Sequence, residues 1–161
     1  MIGTLRPIGH VESDIVESDI KEPAQFRWEA SAAEVVVDPA FASGLDGIED
    51  FSHVIVICWL DRIDEPQRRT LKAHPQNRQD LPEVGVFATR SPRRPNPVSI
   101  TVVALRERRN NRLVVEGLDA VDGTPVLDIK PYLPREDSVP DARVAWWINK
   151  LWEDLDAGHA G

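Results

Sequence analysis

Three arginines and three prolines crowd the stretch GVFATRSPRRPNPVSIT from Gly85 to Thr101. Arg90, Arg93 and Arg94 lie among Pro92, Pro95 and Pro97, and each proline ring fixes its own φ and biases the preceding residue toward extended geometry. The guanidinium groups therefore stand on a stiff backbone, which suits planar, bidentate recognition of a carboxylate or phosphate. Downstream, in EGLDAVDGTPVLDIKPYLP from Glu116 to Pro134, Asp119 and Asp122 flank Ala120 and Val121 ahead of a Gly-Thr-Pro turn. Carboxylates accept from hydroxyl or ammonium groups, so the two stretches together suit a ligand that carries both signs. His53 opens the apolar run HVIVICWL, where a lone histidine is more often a hydrogen-bonded structural residue than a functional one. The four histidines, at 10, 53, 74 and 159, show no ligand spacing, and no metal is expected.

Positioning these groups falls to short β-branched runs. Leu5–Ser13, Ala33–Asp38, His53–Leu60, Val84–Ala88, Val98–Arg106, Leu113–Leu118 and Pro125–Tyr132 all have strand composition. The run at 53–60 is the most hydrophobic in the chain and reads as a buried central strand. Asn110-Asn111 tolerates left-handed φ and suits a tight hairpin. The segment 41–51 reads as a turn with one short helix, limited by Gly44 and Gly47. Residues 14–27 read as an extended acidic loop. Residues 61–83 read as a long polar loop broken by Pro66, Pro75 and Pro82, whose Arg62, Arg68, Arg69, Lys72, His74 and Arg78 make it either an RNA-contacting arm or a solvated loop. At the C-terminus, Asp141–Leu155 predicts an amphipathic helix with Val144, Trp147, Leu151 and Leu155 on one face and Asp141 at its start. About seven strands with no regular helical crossovers predict a mainly β fold, an antiparallel β-barrel or strongly curved sheet with a C-terminal helix. No glycine-rich strand-to-helix turn of the dinucleotide-binding kind is present.

With 161 residues and 42% hydrophobic content, one domain over 1–161 is expected, its core at about 5–140 and its helix at about 141–156. The single cysteine, Cys58, lies inside an apolar run and reads as a buried thiol. No run reaches the length of a membrane span and the N-terminus lacks a signal-peptide core, so a cytoplasmic location is expected. The net charge of −8 is unevenly spread. Between Arg62 and Arg112, twelve Lys or Arg stand against five Asp or Glu, a net +7, while the remainder carries seven against twenty-two, a net −15. Such a chain either presents a basic face to phosphates or pairs its arginines with its own acidic flanks.

The two dense stretches, together with GHVES at 9–13 and Phe51-Ser52-His53, resemble the TsaA-like family of S-adenosylmethionine-dependent tRNA methyltransferases over roughly residues 5–140. The resemblance rests on FATRSPxRPNP followed by LDxxDGTPxxDIKPYxP, a long and idiosyncratic pattern. It implies a β-barrel methyltransferase in which cofactor and substrate meet near a subunit boundary, and transfer of a methyl group to N6 of threonylcarbamoyl-adenosine beside the anticodon of certain tRNAs. Carried over by position, it implies that Ser13, His53, Arg90, Asp119, Ala120, Val121 and Asp122 surround S-adenosylmethionine, and that Arg93, Arg94 and Asn96 belong to the same site or to the RNA-facing rim. Arg68 and Arg69 are the further RNA contacts expected from the long loop. Asp122 and His53 are the two candidates for a general base, and the sequence does not choose between them. The chain departs from the family at Pro23-Ala24-Gln25, where a basic residue usually stands, and at Val98-Ser99-Ile100-Thr101, where Ser99 replaces a usual glycine. Longer members carry a further C-terminal domain; here the grip on tRNA is expected from the barrel, its long loop or the second subunit of a homodimer. Two alternatives remain open: a methyltransferase of the same fold acting on another RNA or small molecule, and a non-catalytic S-adenosylmethionine-binding module.

Overall fold

The alternation of small β-branched residues along the chain closes into a barrel. The computed structural model describes residues 3–16 and 32–158, so most of the expected acidic loop and the Pro23-Ala24-Gln25 element lie outside the described residues. Strands β1 (Gly9–Ser13), β2 (Ala32–Val37), β3 (His53–Trp59), β6 (Val98–Arg109), β7 (Arg112–Glu116) and β8 (Pro125–Pro131) form a closed sheet in the order β1-β2-β7-β6-β3-β8, with every pair antiparallel. The two-residue strands β4 (Lys72–Ala73) and β5 (Val84–Gly85) pair only with each other. The expected barrel is therefore present, with six strands in the wall and a short ribbon outside it.

Every second side chain fills the interior: Val11, Val35, Val37, Val54, Val56, Cys58, Leu113, Val115 and Val126 are buried in one cluster. Strand β3 is buried on this face alone. Its outward residues Ile55 and Ile57 are only half-buried, which corrects the reading of a strand covered on both sides: a barrel wall has one dry face. Gly9 is required where β1 meets β2, because a Cβ there would fall 2.0 Å from the Val36 carbonyl oxygen. The hairpin at Asn110-Asn111 forms as expected, with Asn110 at φ 55°. Val84–Ala88 is not one strand, since β5 ends at Gly85 and Val86–Ala88 winds into a 3-10 turn closed by the Thr89 N–H on the Val86 carbonyl.

All neighbours being antiparallel, three connections gather at one end of the barrel: 14–31, 60–97 and 117–124. We call it the upper end. The connection 60–97 is more structured than a polar loop. It holds helix α1 (Glu65–Arg68), opened by a capping box in which Asp64 accepts from the Gln67 N–H and the Gln67 side chain accepts from the Asp64 N–H, then the ribbon, then buried Leu81. A four-residue helix α2 (Pro134–Asp137) follows β8. The C-terminal helix α3 runs Trp146–Asp156, starting later than expected: the cap position is Ala145, not Asp141, and Ala142 instead closes a turn on the Val139 carbonyl. Trp147 and Leu151 pack on Leu81, Val84 and Ile148, forming a small apolar cluster apart from the barrel core. Trp146 and Trp152 are exposed. Among the described residues no helix is long and apolar enough to cross a membrane.

Candidate functional site

The turn from Gly117 to Thr124 is folded into the upper mouth of the barrel. Leu118, Ala120, Val121 and Thr124 are buried there, leaving Asp119, Asp122 and Gly123 outside. Elements from around the mouth pin it. From β1, the Ser13 hydroxyl donates to the Ala120 carbonyl at 2.9 Å, the Ser13 N–H donates to Asp122 Oδ1 at 3.1 Å, and the Val11 carbonyl accepts from the Gly123 N–H at 2.8 Å. From β6, the Thr101 hydroxyl donates to Asp119 Oδ1 at 3.0 Å. From just beyond β3, Arg62 Nη2 donates to the Asp122 carbonyl at 2.8 Å. Within the turn, Thr124 Oγ1 donates to the Val121 carbonyl at 2.7 Å, and Gly123 takes φ 80°, where a side chain is disfavoured. The result is a preorganised loop, whose backbone geometry exists before any ligand arrives.

Beside it lies an open groove of about 690 Å³, bordered by Glu12, Ser13, Asp14, Glu34, Asp122 and Gly123. The groove is acidic. Part of that charge is balanced by Arg112, which donates to Glu12 and Glu34 and holds the Glu12 carboxyl below the usual carboxylate range.

The arginine loop shares this end. Its stiffness comes from more than proline: Arg94 Nη2 donates to the carbonyls of Val86 and Thr89, both at 2.9 Å, and the hydroxyls of Thr89 and Ser91 accept from the N–H groups of Ser91 and Arg93. Arg94 is thus a strut of the loop, while Arg90, Arg93 and Asn96 are exposed. Arg68 also has an internal role, donating through Nε to the Ile63 carbonyl and stacking its guanidinium 5.2 Å from the Trp59 ring centroid. Arg69 is exposed, 3.8 Å from Glu65.

Both expectations for the basic stretch hold in part. Arg78, Arg106, Arg108, Arg109 and Arg112 pair with carboxylates. Arg62, Arg68, Lys72, Arg90, Arg93 and Arg94 make no ion pair among the described residues, and all six belong to the connection 60–97 at the upper end.

The fold brings together Ser13 and Asp119–Asp122, and two placements bear on how the other expected residues can reach a ligand. Ala120 and Val121 are buried in the barrel mouth, so they can meet a ligand only through the main chain. His53 begins β3 at the opposite end, beside Ser52 and Tyr132, six residue rises of about 3.3 Å, roughly 20 Å, below the Trp59 end of the strand. Within one chain it does not join Asp122. Charge alone groups Arg62 with the arm; its place directly after an inward-alternating strand is the available sign that it sits at the mouth. Ser99 lies opposite Cys58 in the β3–β6 register, and burial pushes the Cys58 thiol up to about 12, the mark of a structural cysteine in the wall. Among the described residues no group of three His, Cys, Asp or Glu is arranged to hold a metal.

Both the sequence and the fold match known proteins. The family described as the tRNA-methyltransferase O N-terminal domain matches residues 11–138. An Archaeoglobus fulgidus protein named "Probable S-adenosyl-L-methionine-binding protein" is 44% identical over 147 residues, covering 91% of this chain and 38% of that protein. A second protein of that organism, named S-adenosyl-L-methionine-binding protein, is 42% identical over 135 residues, covering 84% of this chain and 93% of its own length. A crystal structure of TrmO from Pseudomonas aeruginosa superimposes with a TM-score of 0.70 at 33% identity, covering 91% of this chain and 63% of that one. The chain thus spans well under half of the first of these relatives and under two thirds of the solved one.

Proposed function

Because the chain belongs to the family of the tRNA-methyltransferase O N-terminal domain, we propose that it is an S-adenosylmethionine-dependent methyltransferase whose acceptor is N6 of threonylcarbamoyl-adenosine in tRNA. The observation that carries this reading is the meeting, at one end of the barrel, of the pinned Asp119–Gly123 turn and its groove with six cations that make no ion pair among the described residues. An acidic groove suits a cationic cofactor, and the neighbouring cations suit a polyanionic acceptor. The names borne by the relatives point the same way.

When bound, the cofactor supplies a methyl group already activated by a positive sulfur. The chain contributes alignment and a proton acceptor. Asp122 has Oδ1 held by the Ser13 N–H, and Oδ2 is the oxygen left to take the proton that the attacking nitrogen sheds. His53, at the far end of β3, is not available to the same site within one chain.

In this reading the active unit is a homodimer. Its support is an apolar patch on the outside of the barrel, where Ile55 faces Val102 and Ile57 faces Ile100 across β3 and β6, with Ile100 61% and Val102 48% exposed. A two-fold axis lying across the strands of that patch would run β3 of the second copy antiparallel to this one, setting its lower end beside the upper end described here.

The test is mass spectrometry of nucleosides from tRNA incubated with the protein and methyl-labelled cofactor. Label in threonylcarbamoyl-adenosine supports the reading. Label in a different nucleoside keeps the methyltransferase and changes the acceptor. Saturable cofactor binding without transfer leaves a binding module.

A further inference from the structure

The groove beside Asp122 poses an electrostatic problem that one residue resolves. Glu12, Asp14, Glu34 and Asp122 border it together with His10, whose ring lies 3.6 Å from Glu12, and neither lysine nor arginine does so among the described residues. Such a lining attracts a sulfonium and an ammonium, yet it repels a carboxylate carried by the same ligand. A ligand that is both cation and amino acid needs one cation at the rim.

The candidates narrow by what each already does. Arg112 is committed to two of the groove's own carboxylates, Glu12 and Glu34. Arg94 spends its Nη2 on the two carbonyls of its own loop. Arg62 differs: its Nη2 donates to the Asp122 carbonyl, its guanidinium lies 3.9 Å from where a Gly123 Cβ would stand, and it has no carboxylate partner among the described residues. That bond holds the guanidinium beside Asp122 and Gly123, two of the residues that border the groove. A guanidinium offers five N–H groups in a planar fork, so most of its donors are left over after the carbonyl is satisfied.

Building on the cofactor reading above, we infer that Arg62 is the carboxylate anchor of this site, pairing with the α-carboxylate of S-adenosylmethionine while the acidic groove takes the positive groups. Asp122 and Arg62 thereby divide the amino-acid end of the ligand between them, and the bond that joins them sets the spacing of the two charges. The anchor is preformed, which lowers the ordering cost of binding.

The experiment is calorimetry of the wild-type chain, Arg62→Gln and Arg62→Lys against S-adenosylmethionine and its decarboxylated analogue, which lacks only the carboxylate. The wild type is expected to prefer the full cofactor. Arg62→Gln is expected to bind the full cofactor roughly 10- to 100-fold more weakly, the scale of a charge-assisted hydrogen bond, with its affinity for the decarboxylated analogue unchanged. Arg62→Lys should fall between, because a point charge replaces a fork. Equal losses for both ligands would mean that Arg62 only shapes the Asp122 turn, and would overturn the inference. So would normal cofactor affinity in Arg62→Gln, including the case where only the Michaelis constant for tRNA rises, which would assign Arg62 to a carboxylate of the acceptor. A wild type that binds neither ligand would end the cofactor reading itself, a result distinct from either of these.

Discussion

Arg78 reaches across 76 positions to Asp154, its Nη1 donating to the carboxylate while Nη2 and Nε hold Asp80. The bond ties the connection 60–97 to helix α3, around the small cluster of Leu81, Trp147 and Leu151. The middle of the cationic arm is therefore braced by the C-terminal helix, while Arg62 and Arg68 hold its start to the barrel mouth.

The brace is sensitive to acid. Arg78 holds the Asp80 and Asp154 carboxyls below the usual aspartate range. A lowered folded-state pKa gives stabilisation that is complete above the ordinary aspartate value, near 4, and is lost as the pH falls through the depressed values. Amide protection, taken relative to the intrinsic exchange rate at each pH, should fall in residues 72–85 and 146–156 below about pH 4 before the barrel strands respond. Asp154→Asn should show the same local loss of protection at neutral pH. Uniform exchange across all strands and the helix would refute a separately braced arm.

Gly123→Ala should lower the melting temperature modestly, by the equivalent of about 1 kcal/mol for a side chain at positive φ. Its Cβ would meet only Arg62 at 3.9 Å, so the cost is conformational and not a clash. Because the strain falls in the turn that borders the groove, cofactor affinity should drop more than the melting temperature implies. Differential scanning calorimetry beside a binding titration separates the two effects.

The arginines of the basic end should sort by what they already touch. Arg69→Glu and Arg93→Glu should weaken tRNA binding and leave thermal stability unchanged. Each should also reduce the salt dependence of binding by about one unit of slope for every phosphate no longer neutralised. Arg68→Glu and Arg94→Ala should lower the melting temperature as well, since Arg68 stacks on Trp59 and Arg94 braces its loop. An Arg94→Ala chain as stable as wild type would remove the strut from the account.

Ile100→Asp with Val102→Asp should convert a dimer to a monomer without unfolding the barrel, because both side chains point away from its interior. Light scattering at micromolar concentration reads the mass directly. A wild type that is already monomeric and fully active would dismiss the proposed assembly.

The barrel wall was legible in the sequence because inward positions alternate with period two, as at Val54, Val56 and Cys58, and the hairpin was legible because asparagine tolerates the φ that Asn110 adopts. The ribbon β4-β5 was not: two residues per strand leave no periodicity to read. The site was half legible. Ser13 and the Asp119–Asp122 turn meet, but a motif names residues without saying at which end of a strand they stand, and the distance of a full strand between His53 and that turn within one chain is not written in it. Arg62 escapes notice for the converse reason. Its partner is a main-chain carbonyl, which no residue type announces.

Closure of the barrel also constrains how the chain reaches its native state. Strand β3 pairs only with strands that come later, His53 meeting Ala104 on one side and Val54 meeting Pro131 on the other, and β1 joins β8 through Gly9 and Val126. The first and third strands cannot be fully satisfied until the last has left the ribosome. Long loops must close before these pairings repay their entropy, which places the chain among slow, high-contact-order folders. Until then Val54, Val56 and Cys58 form part of an unpaired apolar strand, the segment most exposed to misassociation and the natural place for a chaperone to bind.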